Sequence, residues 1–321
     1  MPLGETDYAA LALLERRVNL LLPEEYQGAD PVVEPTPMGA AGLRFDGDGR
    51  VAWDEIWGSF CDLAMAGGPP HKGRLLQPGT RAGIDAAPER YVEVVQEICR
   101  GVQLAADLQA AAAPDAGWVR VRCLTDAMAG WLLRAITMEN VAVRGGARTI
   151  DLPAAPGYRL DKEIKNVVTV IAKTSHYWGG HIARAQKNQI DWLFKTIAAE
   201  APLIGPADVD TENAGMTTSA PRLSAGEITT GAHRTLAAAI QRHTGLHSAE
   251  QRYSSWLGLE MPSVTAAIWM MRSLVVGNVL ARSEDTVLYV PVNPALDPEG
   301  EEIARRVTSV WQLARARDLF A

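Results

Sequence analysis

The sequence predicts an α/β protein, with α+β as the alternative, built as a tandem duplication of one α-α-β-α-β-α unit. Three observations carry this. Residues 118–153 match residues 256–291 without a gap, so Trp118 falls on Trp256, Trp131 on Trp269, Arg134 on Arg272, Asn140 on Asn278 and Arg144 on Arg282. Short β-branched runs alternate with helical periodicity inside that window. Hydrophobic residues make up 47% of the 321, enough for a sizeable core. Two Trp pairs at one offset are hard to obtain by chance, because Trp is rare. The match supplies an internal control: residues held in both copies read as structural, and polar residues held in one copy are candidates for function.

In chain order, residues 6–22 form an amphipathic helix, with Leu11, Leu14, Val18 and Leu21 at helical spacing. Residues 23–43 are rich in Pro, Gly and Glu and read as an extended linker. The stretch 43–53 turns at Asp46-Gly47-Asp48-Gly49, a hairpin signal. Copy one then runs as helix 54–66, helix 88–109, strand 117–123, helix 126–144, strand 147–153 and helix 160–178. Copy two repeats the order. Ile190, Phe194 and Ala198 fall on Ile56, Phe60 and Ala64, and Glu163, Ile164, Val168 and Thr169 fall on Glu302, Ile303, Val307 and Thr308. Residues 201–224 carry little apolar content and read as a loop.

Two strands joined through a helix read as a βαβ unit. Two strands alone do not make a stable sheet. The copies are therefore expected to pack as one pseudo-twofold body, with helices over a small mixed sheet and a ligand cleft between copies. The expected divisions are 1–43 (helix and linker), 44–181 (copy one, functional) and 182–321 (copy two, structural).

The net charge of −7 and the pI of about 5.5 disfavour nucleic acid and anionic membranes as partners. Cys61, Cys99 and Cys123 are scattered and odd in number, which suits a reducing cytoplasm. The N-terminal segment lacks the pattern of a signal peptide, and Val264–Ala281, interrupted by Arg272 and Asn278, reads as a buried helix.

The candidate site lies in copy one. Lys165, Thr169, Lys173 and His176 share a stripe of helix 160–178, with Tyr177 and His181 at its end. Copy two places Ile303 or Ala304, Gln312 and Arg315 opposite Lys165, Lys173 and His176. The loop Gly67-Gly68-Pro69-Pro70-His71-Lys72-Gly73-Arg74 adds positive charge and glycines that admit an oxyanion. The expected function is to bind a small anionic metabolite, with chemistry on it as the extension of that reading. Lys72, Arg74, Lys165, Lys173 and His181 would hold it, and His176 would be general acid or base with Tyr177 or His71 assisting. The cofactor is left open, since no nucleotide fingerprint occurs. No metal site is expected, because Gly245 interrupts the His243/His247 spacing. Glu139 reads as a solvent-facing helix residue, and Cys61 and Cys123 as small core residues. The alternative is an accessory or assembly subunit, or a homo-oligomer, acting through apolar helical surfaces.

Overall fold

The computed structural model describes residues 8–28, 42–55, 62–207 and 231–320. These fall into two compact units, one within 33–191 and the other combining 1–32 with 192–321. The protein mixes helices with two small antiparallel sheets.

In the first unit the Asp46–Gly49 turn forms as expected. Asp46 Oδ1 accepts from the amides of Asp48 and Arg50, Gly49 takes φ +74°, and Phe45 pairs with Val51. The inner part of the expected helix 54–66, including Cys61, lies outside the described residues. Its ends are 3-10 turns at Trp53–Glu55 and Ala64–Ala66. Helix α1 (Tyr8–Leu21) belongs to the second unit, while α2 (Arg81–Ala86) and α3 (Pro88–Ala106) belong to the first. Strands β1 (Ala110–Ala112) and β2 (Trp118–Arg122) precede α4 (Asp126–Met138), which is capped by the Thr125 side chain on the Met128 amide. Strands β3 (Arg144–Gly146) and β4 (Thr149–Pro153) follow, then α5 (Lys165–His176), with a π-helical turn at each end, Leu160–Ile164 and Tyr177–His181.

The sheet corrects the expected parallel βαβ arrangement. Its order is β1-β2-β4-β3, and every neighbouring pair is antiparallel. The short strand β3 escapes a sequence reading, because Arg144-Gly145-Gly146 has no apolar alternation. The chain then reverses at Arg148, whose φ is +53°, and returns as β4. Thus β2 and β3 run in the same direction on either side of β4, and helix α4 joins them across it. The sheet is antiparallel, not mixed.

The second unit holds α6 (Arg184–Glu200, which begins in the first unit), α7 (His233–Thr244), β5 (Trp256–Glu260), α8 (Val264–Val276), β6 (Arg282–Glu284), β7 (Val287–Pro291) and α9 (Glu301–Ala316). Its sheet order is β5-β7-β6, again antiparallel, with a reversal at Asp285, φ +50°. The Ser263 side chain caps α8 on the Ala266 amide. Most of the expected loop 201–224 lies outside the described residues.

Each unit buries one apolar helix behind its sheet. Helix α4 is buried from Ala127 to Met138 except at Gly130, and α8 from Ala266 onward. Trp118, Trp131, Trp256 and Trp269 are all buried, as their recurrence at one sequence offset predicts. Asn140 and Asn278 end these helices in the left-handed region, at φ +58° and +60°, a conformation Asn tolerates better than most residues. Their Nδ2 groups donate to the carbonyls of Lys72 and Ala201 respectively. Among the described residues no helix is long and apolar enough to cross a membrane.

Candidate functional site

Lys173 and the loop that carries His71 meet at a carboxylate, Glu139, that was expected from the sequence to face solvent. Glu139 follows α4 and is fully buried. Its Oε1 accepts from the Ala64 amide at 3.0 Å, and its Oε2 accepts from the His71 amide at 2.9 Å and lies 2.8 Å from Lys173 Nζ. Lys173 is fully buried too. The loop between Leu63 and His71 therefore folds around one carboxylate, and α5 supplies the counter-charge.

The loop's sequence explains its path. Leu63, Ala64, Met65 and Ala66 are all apolar and buried. Gly67 closes the 3-10 turn at φ +101°, a conformation that favours glycine. Gly68 lies so close to the Asp62 carbonyl that a Cβ would come within 2.5 Å of its oxygen. Pro69 and Pro70 then lead to His71.

Expecting Lys173 to bind ligand runs against this geometry, since its ammonium is buried against Glu139. The signal that could have found the pair is the internal control itself. In the internal sequence match Gly277 and Gln312 stand opposite Glu139 and Lys173, so acid and base are absent together there. There Arg306 covers the helix end instead, donating to the carbonyls of Gly277 and Asn278 at 2.8 and 3.1 Å.

His71 is the second element of the site. It is half-buried, and its Nε2 lies 3.0 Å from Asn166 Oδ1 on α5. A carboxamide oxygen only accepts, so Nε2 carries the proton and Nδ1 presents its lone pair. That Nδ1 is buried and has no hydrogen-bond partner among the described residues. Burial, and then the charges of Lys173, Lys72 and Lys165, lower the His71 pKa to about 3, against the opposing bond to Asn166. His71 is therefore a neutral acceptor at physiological pH and does not serve as a proton donor in its imidazolium form.

Lys72 and Lys165 are half-buried and Arg74 is exposed. Among the described residues neither Lys72 nor Arg74 forms an ion pair. The remaining expected residues form a second group at the π-helical end of α5. His176 and His181 are exposed with their Nε2 atoms 3.3 Å apart, and the ring of buried Tyr177 lies 4.8 Å from that of His181 at a tilt of 44°. Of the eight expected residues, the structure thus groups His71, Lys72, Lys165 and Lys173 around α5 and the Glu139 loop. It groups His176, Tyr177 and His181 at that helix's end.

Other polar side chains form clusters of their own away from this loop. The Arg282 guanidinium is fully buried against the rings of Tyr253, Trp256 and Tyr289 (4.4, 4.9 and 4.2 Å) and pairs with Glu284 at 2.7 Å. Its counterpart Arg144 lies over Trp118 and pairs with Asp151 and Asp115. A surface recess of about 240 Å³ beside α3 is lined by Arg90, Arg100, Glu93 and Glu97, but these pair with one another. Burial raises the Cys99 and Cys123 pKa values to about 11 and about 12, so neither is a thiolate nucleophile. Among the described residues no group of three or more His, Cys, Asp or Glu is placed to hold a metal.

No family model, no curated protein and no solved structure matches this chain.

Proposed function

We propose that this is a cytoplasmic protein that binds a small anionic molecule bearing a hydroxyl or N–H group, at the His71 loop and the adjoining face of α5. The observation that carries the reading is the buried His71 Nδ1, an acceptor without a donor, set among cationic side chains. A buried polar atom without a partner costs free energy, and a ligand donor would recover it. Lys72 and Lys165 would hold the anionic group, with Arg74 at the rim. Lys173 would act through Glu139, fixing the loop that carries His71 and Lys72. Hydroxy acids and sugar phosphates present both features.

The test is calorimetric titration of the full chain with members of these two classes. Binding that weakens in both His71→Ala and Lys72→Ala supports the reading. Absence of any binding by the wild type, or binding by both variants that equals the wild type's, overturns it.

We further infer that residues 44–181 and 182–321 are copies of one ancestral unit, and the expected pseudo-twofold pairing belongs to the same proposal. The support is recurrence of irregular detail. The Leu76 amide donates to Asn140 O and the Ala142 amide to Leu76 O, as Ile204 donates to Asn278 O and Leu280 to Ile204 O. The Cys123 amide donates to Arg148 O, as Met261 donates to Thr286 O.

A further inference from the structure

We propose that His176 and His181 form a two-histidine site for a zinc ion. The site is independent of the His71 loop reading, and the argument begins with the backbone. A residue five positions on would point well away from His176 on a regular α-helix, because each residue turns about 100°. Here the chain widens after His176 into a π-helical turn, Tyr177–His181. The Ile182 amide closes that turn on the Tyr177 carbonyl at 3.2 Å, and Lys187 Nζ donates to the Gly179 carbonyl at 3.2 Å. Such turns are rare and occur often at functional sites. This one brings His181 back over His176.

The distance between the two nitrogens is the second observation. The Nε2 atoms face each other at 3.3 Å, and the rings are inclined at 66° instead of stacking. Two imidazole nitrogens about 2.0–2.1 Å from a tetrahedral zinc are separated by about 3.3–3.4 Å. Adjacent nitrogens on a square-planar or octahedral ion at similar bond lengths lie closer, at about 2.8–3.0 Å. The observed spacing therefore matches zinc.

Both imidazoles are exposed, so an ion has access to them. Gly179 and Gly180 keep the approach clear: a Cβ at Gly179 would meet nothing within 4 Å, and one at Gly180 would only reach His176 Cε1 at 4.0 Å. In the metal-free pair one Nε2–H donates to the other nitrogen. Zinc binding needs that imidazole to carry its proton on Nδ1, a tautomer change without net proton release. Copy two has Arg315 at the place of His176, so the site belongs to copy one alone.

The experiment is calorimetric titration of the full chain with zinc chloride. It compares the wild type, His176→Ala, His181→Ala, and a His243→Ala/His247→Ala double variant as a control for the exposed histidines of the other unit. The expected result is one zinc equivalent, weakened at least about tenfold in either single variant and unchanged in the double variant. Melting temperatures without metal are expected to match across the set, since the altered side chains are exposed. A wild type that takes up no zinc overturns the assignment, as do single variants that bind like the wild type.

Discussion

Replacing Lys173 with Met tests the centre of the site. The perturbation removes an ammonium 2.8 Å from Glu139 Oε2 and leaves a carboxylate with no exposure to water. At an effective dielectric of about 20, two charges at that separation attract by about 6 kcal/mol. The desolvation of both ions offsets much of this, so the pair as a whole contributes little net stability. Removal of one partner leaves the other ion buried with its desolvation penalty, which costs about 3–5 kcal/mol. For a unit of this size that lowers the melting temperature by about 6–20 °C. Glu139→Gln is expected to cost a similar amount. Its amide group also replaces one of the two oxygens that receive the Ala64 and His71 amides. The double variant Glu139→Gln/Lys173→Met should cost about 1–3 kcal/mol less than the sum of the singles, because it removes both charges and leaves no buried ion behind. Urea denaturation of the four proteins at pH 7 reads this out. Additivity to within about 0.5 kcal/mol would refute the reasoning, as would a Lys173→Met cost below about 1 kcal/mol.

Three further outcomes are expected. His71 has a folded pKa of about 3 against 6.5 when unfolded, so the unfolded chain binds more protons between those values, and the stability His71 contributes above pH 6.5 is lost as pH falls toward 3. The loss by pH 5 is about 2 kcal/mol. It should disappear in His71→Leu, and equal pH dependence of the two proteins in urea melts would argue against a buried neutral imidazole. Gly101→Ala would place a Cβ 2.5 Å from Val168 Cγ2 and 3.3 Å from Trp53, where α3 meets α5. Overpacking of about 1–3 kcal/mol outweighs the gain of about 1 kcal/mol in helix propensity, so the melting temperature should fall; a rise would show that the helices separate freely. Native protein treated with iodoacetamide at pH 8 should keep Cys99 and Cys123 unmodified by peptide mass spectrometry, because burial holds both thiols protonated. Modification at the rate of a free thiol would contradict this.

The main helices and longer strands were legible in the sequence, because their signals are local. The Asp46–Gly49 turn announces the hairpin, and apolar periodicity marks α3 and α5. The recurrence of Trp and Asn also identified positions that prove to be core packing and left-handed helix ends. The positive character around the His71 loop was equally legible, since local composition exposes it.

Partner choice across the chain was not legible. Strand direction depended on Arg144-Gly145-Gly146, a strand whose evidence is its ladder to Thr149–Asp151 and not its own pattern. Lys173 and Glu139 looked like a surface cation and a surface acid, because a helix stripe gives spacing but not what covers it. Only the folded loop, which brings the Ala64 and His71 amides to one carboxylate, makes their burial affordable. The His176–His181 approach likewise arises from a π-helical turn that regular helical spacing does not anticipate. Local periodicity and capping are encoded within a few residues, whereas pairing, burial and side-chain convergence are set by contacts between segments far apart in the chain.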